Sequence, residues 1–212
     1  GTPQGVGGGV VVPETEVGPG APHSARLLDR VDWASMLALM AAGLLLRLRY
    51  WSGFGLIDDV LFRHFIASIL WNHGVLHDNF TYRFTWWIPT ALFGRFLGLS
   101  EASMVLPITF AATLGTGVMY ALGKQLFGRT GAIIAALLLV VAPIDFAWST
   151  MLANDIFFSL CSAAFFLCVL RALEVDDDPL VRRRRWVLAG VFLLLSYHAK
   201  ASAPSRLPAL VR

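Results

Sequence analysis

The sequence predicts an all-α protein: a polytopic bundle of about five transmembrane helices, with two further helices along the membrane surface in the first external loop. Three observations lead there. Hydrophobic residues make up 57% of the 212 and charged residues only 15%, where a soluble domain carries about 25% charged and 45–50% apolar residues. The mean hydropathy is +0.66. The apolar excess comes in blocks approaching the roughly 20 residues that a bilayer span requires, and the charges collect between them. The net charge of +3 is concentrated in Arg182 to Arg185, which reports on membrane orientation. Basic and aromatic residues are not interleaved as on a nucleic-acid surface, so no nucleic-acid partner is expected.

The opening "GTPQGVGGGVVVPETEVGPGAPHSA" is rich in Gly and Pro and has no helical period, so residues 1–30 read as a disordered cytoplasmic tail. It lacks the charged start and cleavage site of a signal peptide. Residues 31–212 form the membrane part. Its spans are Trp33 to Tyr50, Ala102 to Leu122, Gly131 to Trp148, Ile156 to Leu173, and Trp186 to about Ala203. The stretch Trp86 to Leu99 is too short to cross comfortably, carries Arg95, and has a Trp pair of the kind that favours the interface. "DDVLFRHFIASILWNHG" places apolar Val60, Leu61, Ile66, Ile69 and Leu70 among polar residues, a pattern suited to a helix lying in the interface. Cys161 and Cys168 are seven apart in one span, roughly 10 Å along a helix, too far for a disulfide. "GTGVMYALG" lies inside a span with no strand before it and suits close helix packing, not phosphate binding.

The loop "EVDDDPLVRRRRW" is the only strongly basic short loop, which assigns it to the cytoplasm. Counting back through the spans puts Asn154, Asp155, Ser100 and Glu101 outside, and Lys124 and Arg129 inside. With Trp86 to Leu99 lying flat, Asp58 and Asp59 are external. The first two spans are then joined by a loop of about fifty residues, a length that within a compact protein usually signals function.

Asp58 and Asp59, in "GFGLIDDVLFRHF", are the leading chemical candidates. Two roles are open to them. Carboxylates at a helix start favour the dipole, and a partly desolvated carboxylate at the membrane surface can serve as a general base. Asp155 opens a span in "MLANDIFFSL", where it or Asn154 can act as the N-cap. His73, His77 and Asp78 are close in sequence, but Gly74 interrupts a shared helical face, and no metal site is assigned there. Asp145, after Pro143, reads as part of a helix end, and Glu174 and Asp176 to Asp178 as solvated loop carboxylates.

The order of elements resembles the glycosyltransferase C superfamily, in particular the bacterial branch related to protein O-mannosyltransferases and aminoarabinose transferases (glycosyltransferase family 39-like). The matching pieces are "LLLRLRYW", "IDDVLFRHFIASILWNHG", "YRFTWWIPTALFGRFLGLSEASMVLPITF", "YALGKQLFGRTGAIIAALLLVVAPIDFAWSTMLANDIFFSL", the basic loop, and "GVFLLLSYHAKASAP". They cover about Trp33 to Pro204. The resemblance implies an enzyme that moves a sugar from a polyprenyl-phosphate donor to an acceptor hydroxyl on a lipid, glycan or protein. Transfer inverts the anomeric centre on the extracytoplasmic side of a bacterial inner membrane. It implies Asp58 as the general base, with Asp59 standing where the family commonly has Glu. Asp155 then lines the cavity, and Arg83 and Lys200 are candidate cations for the departing phosphate; snorkelling to headgroups is their alternative role. A divalent cation is possible in such a site. The chain reads as the N-terminal part of a longer module, with an open donor cavity and no activity alone. The competing functions are a polytopic transporter, which would carry charges at mid-membrane and repeated interrupted helices, and a non-catalytic scaffold.

Overall fold

Residues 28–52, 57–71, 83–174 and 178–200 are described by a computed structural model, with 57–61 as backbone only. The first helix, α1 (Arg30–Arg49), is opened by a reciprocal cap. The Asp32 N–H donates to Asp29 Oδ1 at 2.8 Å and the Asp29 N–H to Asp32 Oδ2 at 3.0 Å, which satisfies two donors that a helix start leaves unpaired. Arg47 and Arg49 occupy its last turn, where positive charge complements the dipole. Two short helices follow, α2 (Ile57–Trp71) and α3 (Phe84–Leu97). At 15 and 14 residues each is about 22 Å long, less than the ~30 Å hydrocarbon core.

The next helix, α4 (Glu101–Val141), is capped by Ser100 and Ser103 in the same reciprocal way and contains two predicted spans. Gly128, at φ 75° and ψ −168°, interrupts it. This is backbone that a residue with a Cβ rarely adopts, and it folds the 41 residues into two antiparallel limbs. The limbs are in close contact: a Cβ on Gly123 would lie 3.0 Å from Ala132 Cα, and beyond the second limb the Ser149 carbonyl accepts from Thr109 Oγ1 at 2.8 Å. α5 (Pro143–Ser149) extends the second limb after a break at Ala142, with Pro143 opening it. α6 (Asp155–Ala172) and α7 (Pro179–Lys200) then pair antiparallel. They are joined by the Ser162–Ser196 hydroxyl contact at 2.7 Å and by Asn154 Nδ2 donating to the Ala199 carbonyl at 3.1 Å.

α1 lies against both limbs of α4. Gly117 of the first limb faces Met36 and Met40, while Val140 of the second faces Gly43. Buried Met36, Tyr120, Ala132 and Ala136 form this part of the core. A larger cluster joins Phe65 and Ile66 of α2, Trp86 of α3, Met104, Val105 and Ile108 of α4, Ile156 and Phe157 of α6, and Ala199 of α7. The bundle thus has two polar ends. One holds Asp32, Lys124, Arg129 and Glu174, and the other Arg47, Asp145, Asp155 and Lys200. Fifteen residues of α1 separate Asp32 from Arg47, about 22 Å.

The fold is all-helical among the described residues, as expected. Three helices are long and apolar enough to cross a membrane, α1, α4 and α6. α7 begins at Pro179, so the arginine block expected in a loop forms its first two turns. The reason is local: Asp178 Oδ1 accepts the Leu180 N–H at 2.9 Å, Pro suits the first helical position, and Arg is a good helix former. Trp86 is not an interfacial anchor. It is 1% exposed, covered by Phe62 with ring centroids 5.0 Å apart and by Phe65 at 6.4 Å. Glu174 is not a solvated loop charge, because Arg185 Nη1 reaches its Oε2 at 3.4 Å and Gln125 donates to its Oε1.

Candidate active site

The larger apolar cluster sits beneath the Arg47 end and roots four pieces of chain there: α2, α3, the start of α6 and the end of α7. α3 meets α7 through Thr85, whose hydroxyl donates to the Leu195 carbonyl at 2.9 Å, and through Phe84, whose ring lies 4.5 Å from that of His198. Arg83, half-buried, is the residue that leads into α3. The start of α3 is therefore brought beside the last two turns of α7, where Lys200 lies. α2 carries Asp58 and Asp59 in its first turn, one turn before Phe62, which packs on Trp86. The side chains of Asp58 and Asp59 lie outside the described residues, as do His73, His77 and Asp78. Among the described residues no group of three or more His, Cys, Asp or Glu could hold a metal ion.

Asp155 and Lys200 are brought together across 45 residues of chain, Lys200 Nζ donating to Asp155 Oδ1 at 2.6 Å. Both are partly exposed, 35% for Asp155 and 57% for Lys200. Nζ also lies 5.6 Å from the centre of the Phe158 ring, a distance at which the ring face attracts a cation. Neither Asn154 nor Asp155 serves as a side-chain N-cap. Asn154 holds that position, but its amide is turned to Ala199. The Asp155 carboxylate follows the lysine. The pair so formed can present one ammonium in a fixed place, with two of its three N–H donors left for an anion.

Sequence reasoning missed a second constellation at this end. Arg47 is fully buried; its Nε donates to Ser149 Oγ at 2.8 Å and its Nη2 to Asp145 Oδ2 at 2.5 Å. Its Nη1 has no hydrogen-bond partner. Next to it, Thr150 Oγ1 donates to Ser52 Oγ at 3.0 Å, which ties the chain leaving α1 to the end of α5. At the opposite end, fully buried Asp32 accepts from Tyr120 at 3.2 Å, from Arg129 Nε at 2.9 Å and from Lys124. The only signals in sequence were an Arg and an Asp inside or beside apolar spans, residues that are costly there unless paired. Between α4 and α6 lies a cavity of about 80 Å³, lined by Ala111, Gly115, Leu139, Asp145, Ile156 and Ser159 among others. It is far smaller than the roughly 300–1,000 Å³ of a small-molecule site, so it holds waters at most.

In the comparisons with known proteins, no curated protein and no solved structure matches the chain. The sequence profile of the dolichyl-phosphate-mannose-protein mannosyltransferase family matches residues 77–211. That range takes in Arg83, Asp155 and Lys200 and every helix from α3 onward, while α2 with Asp58 and Asp59 lies before it. With three helices suited to a membrane and well over half its length matched, the chain belongs to the dolichyl-phosphate-mannose-protein mannosyltransferase family, membrane glycosyltransferases of the C type.

Proposed function

We propose that this chain forms the N-terminal membrane part, residues 31–212, of an enzyme that moves a sugar from a polyprenyl phosphate to an acceptor hydroxyl, with inversion, at the Arg47 end of the bundle. The observation that carries this reading is the family match over 77–211, joined to the gathering of α2, α3, Asp155 and Lys200 at one end. Asp58 takes the acceptor proton; the acceptor oxygen attacks the anomeric carbon; the bond from that carbon to phosphate oxygen breaks and polyprenyl phosphate leaves. Attack from the face opposite the leaving group gives inversion. Phosphate is a good leaving group, so fixed cations matter more than an acid. Lys200, held by Asp155, and Arg83 are the cations of this reading. The acceptor is a lipid, glycan or protein.

In the same reading α2 and α3 lie along the outer surface. The Arg47 end faces away from the cytoplasm, in keeping with the arginine block at the other end, and the membrane is the bacterial inner membrane. The test is transfer by the complete enzyme that contains this chain, purified into liposomes, from a polyprenyl-phosphate mannose of known anomeric configuration. Product formation with the opposite configuration, and release of polyprenyl phosphate in equal amount, is the expected result. Transfer with retention, or from a nucleotide sugar alone, would remove the proposal. Cysteine labelling at positions 58 and 101 from outside intact cells tests the topology: both positions label if α3 lies flat.

A further inference from the structure

The arginine block of α7 divides by direction. Arg185 is turned inward, its Nη1 donating to the Arg171 carbonyl at 2.5 Å and pairing with Glu174. Arg183 and Arg184 are exposed. Among the described residues neither has an acidic partner: Glu174 is engaged by Arg185 and Gln125, and Asp178 accepts the Leu180 N–H. They line a surface hollow of about 400 Å³ with Leu180, Val187 and Leu188. Positions 180, 183, 184, 187 and 188 recur at the three- and four-residue spacing of one helix face. That face therefore has two guanidinium groups with no acidic partner among the described residues and, continuing from them along α7, exposed apolar side chains. Val187 is 59% exposed and Leu188 48%.

We infer that this face binds an anionic phospholipid of the leaflet at that end, the headgroup phosphate on Arg183 and Arg184 and an acyl chain along Val187 and Leu188. Charge complementarity identifies the ligand: guanidinium forks suit phosphate oxygens, and apolar residues continue the same stripe where a lipid tail must run. Arg182, on roughly the opposite side of the helix by the 100° step per residue, stands outside the site although its charge is identical.

A tryptophan introduced by Leu188→Trp, at a position that lines the hollow, is the reporter, in a Trp186→Phe background. The chain is reconstituted in vesicles of phosphatidylcholine containing brominated phosphatidylglycerol, or brominated phosphatidylcholine at the same fraction, and tryptophan quenching is compared. The expected result is stronger quenching by the anionic lipid, a preference absent from Trp186→Phe without the Leu188→Trp reporter, which locates it. R183Q/R184Q lowers the relative affinity for the anionic lipid by about tenfold or more, the weight of two surface cations beside an anionic headgroup, whereas R182Q leaves it nearly unchanged. Equal quenching by both lipids overturns the proposal, as does a preference that survives R183Q/R184Q. An equal loss in R182Q also overturns it, since that would show a diffuse surface potential and no site.

Discussion

Removal of the Asp145 charge has a sign and a size that follow from its partner's burial. Arg47 is 0% exposed and Asp145 14%. Asp145→Asn leaves the guanidinium out of water with no countercharge, holding Ser149 and a neutral amide, while Nη1 is unpaired already. Breaking a buried ion pair from one side costs about 3–5 kcal/mol. Arg47→Met should cost less, because the partly exposed carboxylate keeps contact with water. The double variant Arg47→Met/Asp145→Leu replaces both charges with apolar groups, a change that is often neutral or favourable. It should therefore be more stable than Asp145→Asn alone, by about 2 kcal/mol or more if the lower limit of the one-sided cost holds. Reversible unfolding in mixed micelles, with these variants and the single variant Asp145→Leu in one denaturant series, measures the cycle. A loss under about 1 kcal/mol in Asp145→Asn, or a double variant whose cost equals the sum of Arg47→Met and Asp145→Leu, refutes the reasoning.

Other expectations follow from the same geometry. Gly43→Ala puts a Cβ 2.7 Å from Arg47 Nη1 and 3.1 Å from Val140 Cγ2, an overpacking worth about 1–3 kcal/mol; unfolding in the Arg47→Met background should recover part of it. Asp32→Asn removes the buried carboxylate charge that accepts from Tyr120, Lys124 and Arg129, and should cost about 3 kcal/mol in the same unfolding measurement, with Lys124→Met restoring part. Lys200→Met should lower kcat/KM for the lipid-linked donor by about 10²-fold, the usual worth of a donor aimed at developing charge; Asp155→Asn, which frees the ammonium without removing it, should do less in the same transfer assay.

The helical bundle was legible because apolar runs of span length have few alternatives in this composition, and α1 and α6 lie close to the predicted limits. The turn expected around Lys124 to Arg129 narrows to Gly128, since only the glycine accepts that backbone. Less legible was what the helices do to one another. Trp86 follows the surface preference of tryptophan until α2 covers it with Phe62 and Phe65. The arginine block reads as a loop by charge, yet Pro179 and the Asp178 cap start the helix before it. In the candidate site, Asp155 and Lys200 were each visible as an ionisable group at a span end; their pairing depends on the antiparallel register of α6 and α7, which spacing does not encode. Arg47 with Asp145, and Asp32 with Lys124 and Arg129, lie 98 and 92–97 residues apart. No local pattern couples them.

The role of the acidic pair that opens α2 is the central claim. Transfer rates of Asp58→Asn and Asp59→Asn in the complete enzyme, measured against the parent in the same membranes with a polyprenyl-phosphate donor, test it most directly. Asn keeps the shape of the side chain and most of its hydrogen bonds, so insertion and folding should be preserved. Turnover in Asp58→Asn should fall by about two orders of magnitude or more, as expected for loss of a positioned base. Asp59→Asn should change little beyond the ~0.3–1 kcal/mol that a carboxylate contributes at a helix start. Near-parental turnover in Asp58→Asn would contradict the account, and an inactive Asp59→Asn beside an active Asp58→Asn would move the base one residue along the helix.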